Sequence, residues 1–306
     1  MRLLVIGAGG FLGAHVRRRA DAAGMTVITA GRRSLPRSTV HHVLDLAADD
    51  PARVASVLAE VAPDVVVNCA GATTGDADAL ADANITSIYS LAAAMLMYRA
   101  PVRLVHLGSA AEYGRSDPPI AVSESTPPRP AGVYGATKLA GTRLVQLARV
   151  AGLEAVVLRV FNPVGCGAPE NGLPGGLAIQ LRNALASGAT AVRLGALDAV
   201  RDFVDARDVA DAVIAAATAE TLPQPVLNIG SGIGTPVRTL VKELLAISGF
   251  DGVVHEDASG SARSAGLPWQ QADITIARRD LGWRPRRDLA ASLADLWEGN
   301  CEAGLP

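Results

Sequence analysis

Residues 3–20, "LLVIGAGGFLGAHVRRRA", contain the most informative motif of the sequence. Its apolar run, Leu3–Ile6, is followed by closely spaced glycines and then by a helical pattern. Gly7, Gly10 and Gly13 fit the spacing G-x-x-G-x-x-G rather than the stricter G-x-G-x-x-G. Glycines at a strand-to-helix turn let backbone amides approach a phosphate, which the helix N-terminus stabilises. The stretch predicts a phosphate-binding turn, with a purely structural turn as the alternative.

Short apolar runs alternate with longer helical patterns over the first 160 residues. Strands are predicted at Leu3–Ile6, Thr26–Ala30, His42–Leu44, Val65–Asn68, Arg103–Leu107 and Ala155–Val160, and helices near 11–23, 51–61, 78–99 and 133–150. Apolar strands separated by helices indicate a parallel sheet that is covered on both faces. The pattern predicts an α/β fold, a doubly wound parallel (Rossmann) sheet whose ligand crevice lies at the carboxyl ends of its strands.

The pattern changes after Val160. Residues 161–178 and 118–132 are rich in Gly and Pro and are predicted as long loops. Further elements are predicted as helices near 176–187, 206–218 and 236–248, strands near 191–194, 201–204 and 226–229, and two more helices towards the end. We expect residues 1–160 to form the dinucleotide-binding core, joined by segments near 200–230, and residues 161–306 to form mostly a smaller substrate-binding lobe.

Composition narrows the classes of partner. The chain has 306 residues, 49% of them hydrophobic, and a net charge of −2, so nothing favours binding to nucleic acid or acidic membranes. The three cysteines share no metal-ligand spacing and predict free thiols in a reducing compartment. Histidines are scattered, so no metal site is expected. No apolar run approaches the roughly 18 residues of a membrane span, and a cytoplasmic location is expected.

The end of the second predicted strand bears on the choice of dinucleotide. An acidic residue is expected there when NAD is bound through its ribose hydroxyl, but this chain has Arg32 and Arg33. Guanidinium groups suit a 2′-phosphate, which favours NADPH over NAD, although two solvated surface arginines would give the same pattern. Asp45 follows the third strand and either meets the adenine amino group or belongs to the N-terminal turn of the next helix.

The clearest chemical signal is "VYGATK", in which Tyr134 and Lys138 lie four residues apart in a predicted helix. This spacing places both side chains on one helical face, where an ammonium group favours the phenolate. Such a tyrosine can transfer a proton near neutral pH. Lys138 is one of only two lysines among many arginines, which argues for a specific role. Ser109 follows an apolar strand, where its hydroxyl can reach a substrate oxygen beside Tyr134.

Taken together, these motifs resemble the extended short-chain dehydrogenase/reductases, in particular the branch that acts on nucleotide sugars. The branch contains 4-epimerases, 4,6-dehydratases and 4-ketoreductases. The resemblance covers nearly the whole chain, and the motifs occur in family order. It is carried by residues 7–13, Asn68-Cys69-Ala70-Gly71, Asn84, "SAAEYG", "YGATK", "RVFNPVG", "RDFVDARDVADAV", "LNIGSG" and "LGWRP".

The resemblance implies roles for individual residues. Ser109, Tyr134 and Lys138 would form the catalytic triad. Cofactor contacts are expected from Gly7, Gly10, Phe11, Leu12, Gly13, Arg32, Arg33, Asp45, Leu46, Ala70 and Asn84. Asn162, Arg201 and Arg263 would bind a nucleotide diphosphate sugar. The equivalent helices in the family form a dimer, so helices 78–99 and 133–150 are candidates for a homodimer interface, with ordinary core packing as the alternative.

Two departures from the family select among its reactions. Dehydratases carry an acidic pair beside the serine position, where this chain has Ala110 and Ala111. Epimerases usually carry an acid where this chain has Arg32 and Arg33. The sequence therefore predicts NADPH-dependent reduction of a nucleotide-activated 4-keto-6-deoxysugar. The alternatives are an NAD-dependent nucleotide-sugar 4-epimerase and a non-catalytic NAD(P)-binding sensor.

Overall fold

A parallel sheet of seven strands forms the centre of the molecule. The computed structural model describes residues 1–33, 35, 40–257 and 267–301. The sheet strands are β1 (Arg2–Ile6), β2 (Thr26–Gly31), β3 (His41–Val43), β4 (Val65–Asn68), β5 (Arg103–Ser109), β6 (Glu154–Val160) and β10 (Val226–Ile229). Their order across the sheet is β3-β2-β1-β4-β5-β6-β10. Every neighbouring pair is parallel. The order reverses between β1 and β4, as in doubly wound folds.

Helices cover both faces of this sheet, which confirms the predicted fold class. On one face, α1 (Phe11–Ala22) and α7 (Ala206–Thr218) pack over the apolar side chains of β1, β4, β5 and β6. The opposite face is covered by α2 (Pro51–Val61) and α5 (Val133–Val150). Helix α2 begins where the sequence signals it, with a proline in its first turn and Asp50 accepting a hydrogen bond from the Arg53 amide.

The predicted helix 78–99 is a continuous helical stretch in three parts. They are α3 (Ala77–Ala81), a π-helical turn (Asp82–Thr86) and α4 (Ser87–Tyr98). By length and composition alone, Ala77–Tyr98 is apolar enough to cross a membrane, but half of its most apolar window is buried inside the protein. Its packing against α2 and α5 is that of a core helix.

The remaining elements form a second cluster around a separate core. Its helices are α6 (Leu173–Ser187), α8 (Val237–Ser248) and α10 (Leu289–Glu298), while α9 (Thr275–Leu281) lies against β10 and α7. Its strands are β7 (Asn162–Val164), β8 (Ala191–Leu194), β9 (Val200–Asp205), β11 (Gly234–Pro236), β12 (Val253–Glu256) and β13 (Trp269–Gln270). The loop predicted over 161–178 is thus interrupted by β7, which pairs with β9, and by α6, which begins at Leu173.

Buried aspartates explain much of the motif "RDFVDARDVADAV". Asp208 is fully buried and accepts hydrogen bonds from the amides of Arg286 and Arg287 and from the Arg287 guanidinium. The indole of Trp283 donates to the Asp208 carbonyl oxygen at 2.9 Å. This part of the motif therefore anchors the C-terminal segment "LGWRP" to α7, and its role is structural.

The expectation of three free thiols is wrong for two of them. Cys166 and Cys301 form a disulfide, with their Cα atoms 5.0 Å apart, and only Cys69 is a free cysteine among the described residues. The two positions are 135 residues apart in sequence, and an odd cysteine count gives no pairing information. The bond ties the segment after α10 to the segment after β7.

The disulfide can be checked by counting thiols. We expect iodoacetamide to label one cysteine in denatured, non-reduced protein and three after reduction. Cys301→Ser should lower Tm by about 5 °C. A cross-link that closes a long loop restricts the unfolded chain, and this raises the free energy of unfolding by about 2–4 kcal/mol. Reduced wild-type protein is the matched control and should unfold at the temperature of the variant. Labelling of all three thiols without reduction would contradict the assignment.

Candidate active site

The site lies where the strand order reverses, at the carboxyl ends of β1, β4 and β5. Ile6 pairs with Asn68, and Asn68 pairs with His106, so the loops that leave β1 and β4 start at the same edge. A Cβ atom on Gly7 would lie 2.8 Å from the Ala70 amide nitrogen, so these two loops are in contact. The loops that leave β1 and β4 therefore form the wall of the crevice that the alternation of strands and helices predicts.

The glycine turn has the geometry that an anion site requires. A Cβ atom on Gly13 would lie 2.2 Å from the Gly7 carbonyl oxygen, so only glycine lets α1 begin this close to the turn. Gly10 precedes the first residue of α1, offers no capping side chain, and no acidic residue occurs in the first turn. The first amide groups of α1 therefore remain available to a pyrophosphate, and the helix dipole favours its charge.

The two apolar residues predicted beside the glycines differ in their surroundings. Leu12 is half-buried and packs against the core cluster below the sheet. Phe11 is also half-buried, and its ring meets the edge of the His15 ring at a centroid distance of 5.5 Å. Both residues shape the start of α1, and Phe11 lies at the crevice end of the helix.

Arg32 and Arg33 directly follow β2, beside the glycine turn. Both are exposed, and the Gly7 amide donates to the Ala30 carbonyl oxygen at 2.9 Å, which joins this strand end to the turn. Asp45 is half-buried and caps its own turn by accepting a hydrogen bond from the Ala47 amide at 3.1 Å. The side chain of Leu46 is buried in the core, so any contact between Leu46 and a cofactor would be made by its backbone atoms.

Ser109 is the last residue of β5 and caps a short 3₁₀ turn, Ala110–Glu112. Its hydroxyl accepts a hydrogen bond from the Ala111 amide at 3.2 Å, and its own amide donates to Glu112 at 2.8 Å. Glu112 is fully buried, and its second carboxylate oxygen pairs with Arg159 at 2.7 Å. This carboxylate cannot replace the acid that a dehydratase carries, because both of its oxygens are used within the core.

Tyr134 and Lys138 lie one turn apart at the start of α5, which passes next to the Ser109 turn. A Cβ atom on Gly135 would lie 2.5 Å from the Ala111 carbonyl oxygen, so a glycine is required for this approach. Lys138 donates to the Leu107 carbonyl oxygen at 2.6 Å, two residues before Ser109 on β5. The three predicted catalytic residues thus lie on two elements that are joined by direct contact.

The electrostatics of Lys138 follow from its burial. The side chain is 6% exposed, and burial lowers the pKa of Lys138, while the nearby Glu112 and Cys69 partly oppose this shift.

Asn84 lies in the π-helical turn. Its side-chain oxygen accepts a hydrogen bond from the Ala72 amide, and its side-chain nitrogen donates to the Ala72 carbonyl oxygen and to the Thr137 hydroxyl. Asn84 therefore fixes the loop after β4 against α5 one residue before Lys138.

The predicted substrate residues lie on the second cluster of elements. Asn162 donates to the Asp202 carbonyl oxygen at 2.9 Å, which joins β7 to β9. Arg201 is 6% exposed and donates to the carbonyl oxygens of Val200 and Leu267. No carboxylate of the described chain pairs with it, and burial lowers the pKa of Arg201. A buried cation without a counter-ion suits an anionic ligand. Arg263 lies outside the described residues.

Sequence reasoning missed the residues that support the triad. Gly135 lies inside the motif "VYGATK", and a glycine inside a helix is itself a signal of close backbone approach. Arg159 appears only as the first residue of "RVFNPVG", and that motif does not indicate its partner, because Glu112 lies in the 3₁₀ turn after β5, 47 residues away in the chain. Asn68 appears only within the motif Asn68-Cys69-Ala70-Gly71, and nothing in the sequence indicates that it lies beside His106 on the neighbouring strand.

Known proteins match this chain over most of its length. The model of the NAD dependent epimerase/dehydratase family matches residues 3–230. The chain is 38% identical over 307 residues to a dTDP-6-deoxy-L-talose 4-dehydrogenase (NAD(P)(+)) of Kitasatospora kifunensis, covering 99% of this chain and 96% of that protein. It is 30% identical over 309 residues to a UDP-glucose 4-epimerase of Mycolicibacterium smegmatis, covering 96% of each.

Solved structures give the same result. The UDP-glucose 4-epimerase of Thermotoga maritima, solved with UDP-glucose, superposes with a TM-score of 0.86 at 25% identity and covers 98% of both chains. The sequence and fold matches extend over nearly the whole chain, and they confirm the resemblance that the motifs indicated. The chain belongs to the NAD dependent epimerase/dehydratase family.

Proposed function

We propose that the chain catalyses the NADPH-dependent reduction of the 4-keto group of a nucleotide-activated 4-keto-6-deoxysugar. The observation that carries this proposal is the pairing of a Ser109, Tyr134 and Lys138 site with Arg32 and Arg33 at the end of β2. In this proposal residues 1–160 hold the dinucleotide, and residues 161–306 supply most of the sugar-nucleotide site. The exposed arginines bind the 2′-phosphate, and the free amides of α1 bind the pyrophosphate.

The chain's own residues account for the proton and the orientation of the substrate. NADPH, when bound, supplies the hydride that reduces the keto carbon. Tyr134 protonates the oxygen of that carbon as it gains charge, and the Ser109 hydroxyl donates a hydrogen bond that orients it. The Lys138 ammonium stabilises the phenolate that Tyr134 leaves behind. Lys138 is held for this role by the Leu107 carbonyl oxygen.

The relative from Kitasatospora supports the position of the reacting carbon and the nature of the nucleotide. That enzyme is named a 4-dehydrogenase of dTDP-6-deoxy-L-talose. Oxidation of a 4-hydroxyl group and reduction of a 4-ketone are two directions of one reaction. We therefore assign a dTDP-linked substrate, with the buried Arg201 guanidinium and Asn162 facing its diphosphate. Arginine forms strong charge-assisted hydrogen bonds to phosphate groups.

A nucleotide-sugar 4-epimerase is the second candidate, because several relatives are named so and the reaction uses the same triad. An epimerase retains NAD through its cycle and consumes no reductant. The arginine pair after β2 favours the reductase. A 4,6-dehydratase is disfavoured, since Ala110 and Ala111 hold no acid and Glu112 is committed to Arg159. A non-catalytic sensor is disfavoured because both Tyr134 and Lys138 are present.

We also propose a homodimer. Helices α4 and α5 pack side by side and leave several large apolar side chains exposed. The exposed residues are Tyr89, Leu96, Met97, Val133, Leu147 and Val150. Exposed apolar patches of this kind mark protein interfaces. We therefore propose that the homodimer forms through helices 78–99 and 133–150, as predicted from the sequence.

Mixing the protein with NADPH and a dTDP-4-keto-6-deoxyhexose tests the reaction. We expect the absorbance of the reduced nicotinamide to fall until the sugar is consumed, with the 4-hydroxy sugar as product. The epimerase alternative predicts a flat absorbance and a protein purified with NAD already bound. Mass spectrometry of the small molecules released by denaturation separates the two. A flat trace with both dTDP- and UDP-linked ketosugars would contradict the reductase proposal.

A further inference from the structure

Two buried polar side chains lie below the crevice, on neighbouring strands of the large sheet. Asn68 ends β4 and pairs in register with His106 on β5. Their side chains form a hydrogen bond, with 3.2 Å between Asn68 Nδ2 and His106 Nδ1. Both are at least 98% buried, so this contact is shielded from solvent. Neither residue has a role in the reaction proposed above.

The direction of each hydrogen bond is fixed by its neighbours. The Ala70 amide donates to the side-chain oxygen of Asn68 at 3.0 Å, so the side-chain nitrogen of Asn68 must face His106. An amide nitrogen only donates, and therefore His106 Nδ1 accepts and carries no proton. The proton of the neutral ring is on Nε2. Burial and the nearby Lys138 ammonium both lower the pKa of His106, which keeps the ring neutral.

This arrangement leaves His106 Nε2 without a hydrogen-bond partner among the described residues. A buried N–H group without an acceptor is costly and uncommon in folded proteins. An apolar side chain at this position would avoid that cost. The imidazole nevertheless supplies an acceptor, Nδ1, to the side-chain nitrogen of Asn68, and an apolar side chain would not.

The acceptor matters because of the loop that Asn68 holds. Residues 69–71 lie between the glycine turn and the catalytic lysine. A Cβ atom on Gly7 would lie 2.8 Å from Ala70 N, and one on Gly71 would lie 3.8 Å from Lys138 Nζ. A displacement of Ala70 would therefore change the wall of the crevice on both sides. The hydrogen bond from Ala70 to Asn68 ties this loop to the sheet.

We propose that neutral His106 is a positioning residue that orients Asn68, fixes residues 69–71 against the glycine turn and thereby sets the affinity for the dinucleotide. This inference rests on the dinucleotide-binding part of the proposed function and is independent of the sugar substrate. His106 touches neither the reacting atoms nor the cofactor in this account. It acts through Asn68 and the Ala70 amide.

Calorimetric titration with NADPH measures its Kd and tests the proposal without turnover. We expect His106→Leu to raise the NADPH Kd about tenfold, because it removes the acceptor and leaves the Asn68 amide unpaired. His106→Gln offers a side-chain oxygen to Asn68 and should restore the affinity to within about threefold of wild type. Thr142→Val is the matched control. Its hydroxyl is fully buried on α5 and has no hydrogen-bond partner in the described part of the chain, and its removal should leave the Kd unchanged.

Nitrogen-15 NMR of the unliganded wild-type protein provides a second readout, which survives if His106→Leu does not fold. We expect an unprotonated Nδ1 and a protonated Nε2 for His106 at pH 7. The opposite tautomer, a charged ring, or wild-type affinity in His106→Leu would each overturn the proposal. If wild type binds NADPH but reduces no ketosugar, the proposed reaction fails and this inference is still decided by the Kd values.

Discussion

Replacing Tyr134 with phenylalanine is expected to lower kcat about 10²–10⁴-fold, the usual contribution of a positioned general acid. The loss arises because phenylalanine cannot protonate the oxygen that gains charge at the reduced carbon. The start of α5 should be unchanged, since Gly135 still meets the Ala111 carbonyl oxygen and Lys138 still bonds Leu107. The NADPH Kd should therefore stay within about twofold of wild type. Single-turnover kinetics and calorimetry measure the two effects separately.

Tyr98→Phe is the matched control, because it removes the same hydroxyl at the last residue of α4. Its kcat should equal that of wild type. Unchanged turnover in Tyr134→Phe would remove this residue from the mechanism. If no variant and no condition gave turnover, yet NADPH bound tightly, the sensor alternative would gain support.

The sequence was sufficient for the architecture because its signals are local and repeated. Each buried strand of the large sheet is a short apolar run, and each covering helix follows it with a helical period, so the strand order follows from the known rules of parallel sheets. The spacing of Tyr134 and Lys138 was equally local. Predicted helices such as 51–61 and 206–218 coincide with α2 and α7.

Features that depend on distant pairing could not be predicted in this way. The disulfide joins two cysteines that no local pattern relates, and β7 is a three-residue strand that forms only because β9 lies beside it. The protonation of His106 follows from one neighbouring amide and cannot be inferred from its position in the sequence. The burial of Arg201 in a sheet of the second cluster also required the fold.

The second large effect concerns the choice between the two dinucleotides. Arg32→Ala combined with Arg33→Ala is expected to lower kcat/KM for NADPH about 10²–10³-fold while kcat/KM for NADH changes less than threefold. Hydrogen bonds to a charged group are worth about 1.5–3 kcal/mol each, and two guanidinium groups would lose theirs together. NADH lacks the 2′-phosphate and so has little to lose. Steady-state rates with each dinucleotide at fixed ketosugar give the ratio.

The matched control is Arg193→Ala combined with Arg278→Ala. It removes the same charge from exposed positions on β8 and α9, and it should leave both kcat/KM values unchanged. This comparison separates a local contact from the general field of the protein, which would respond to either pair. An enzyme that takes up a new reductant in each turnover needs to distinguish NADPH from NADH, and the proposed reductase is such an enzyme. Equal losses with both dinucleotides would show that the arginines do not read the 2′-phosphate, and the assigned preference for NADPH would be wrong.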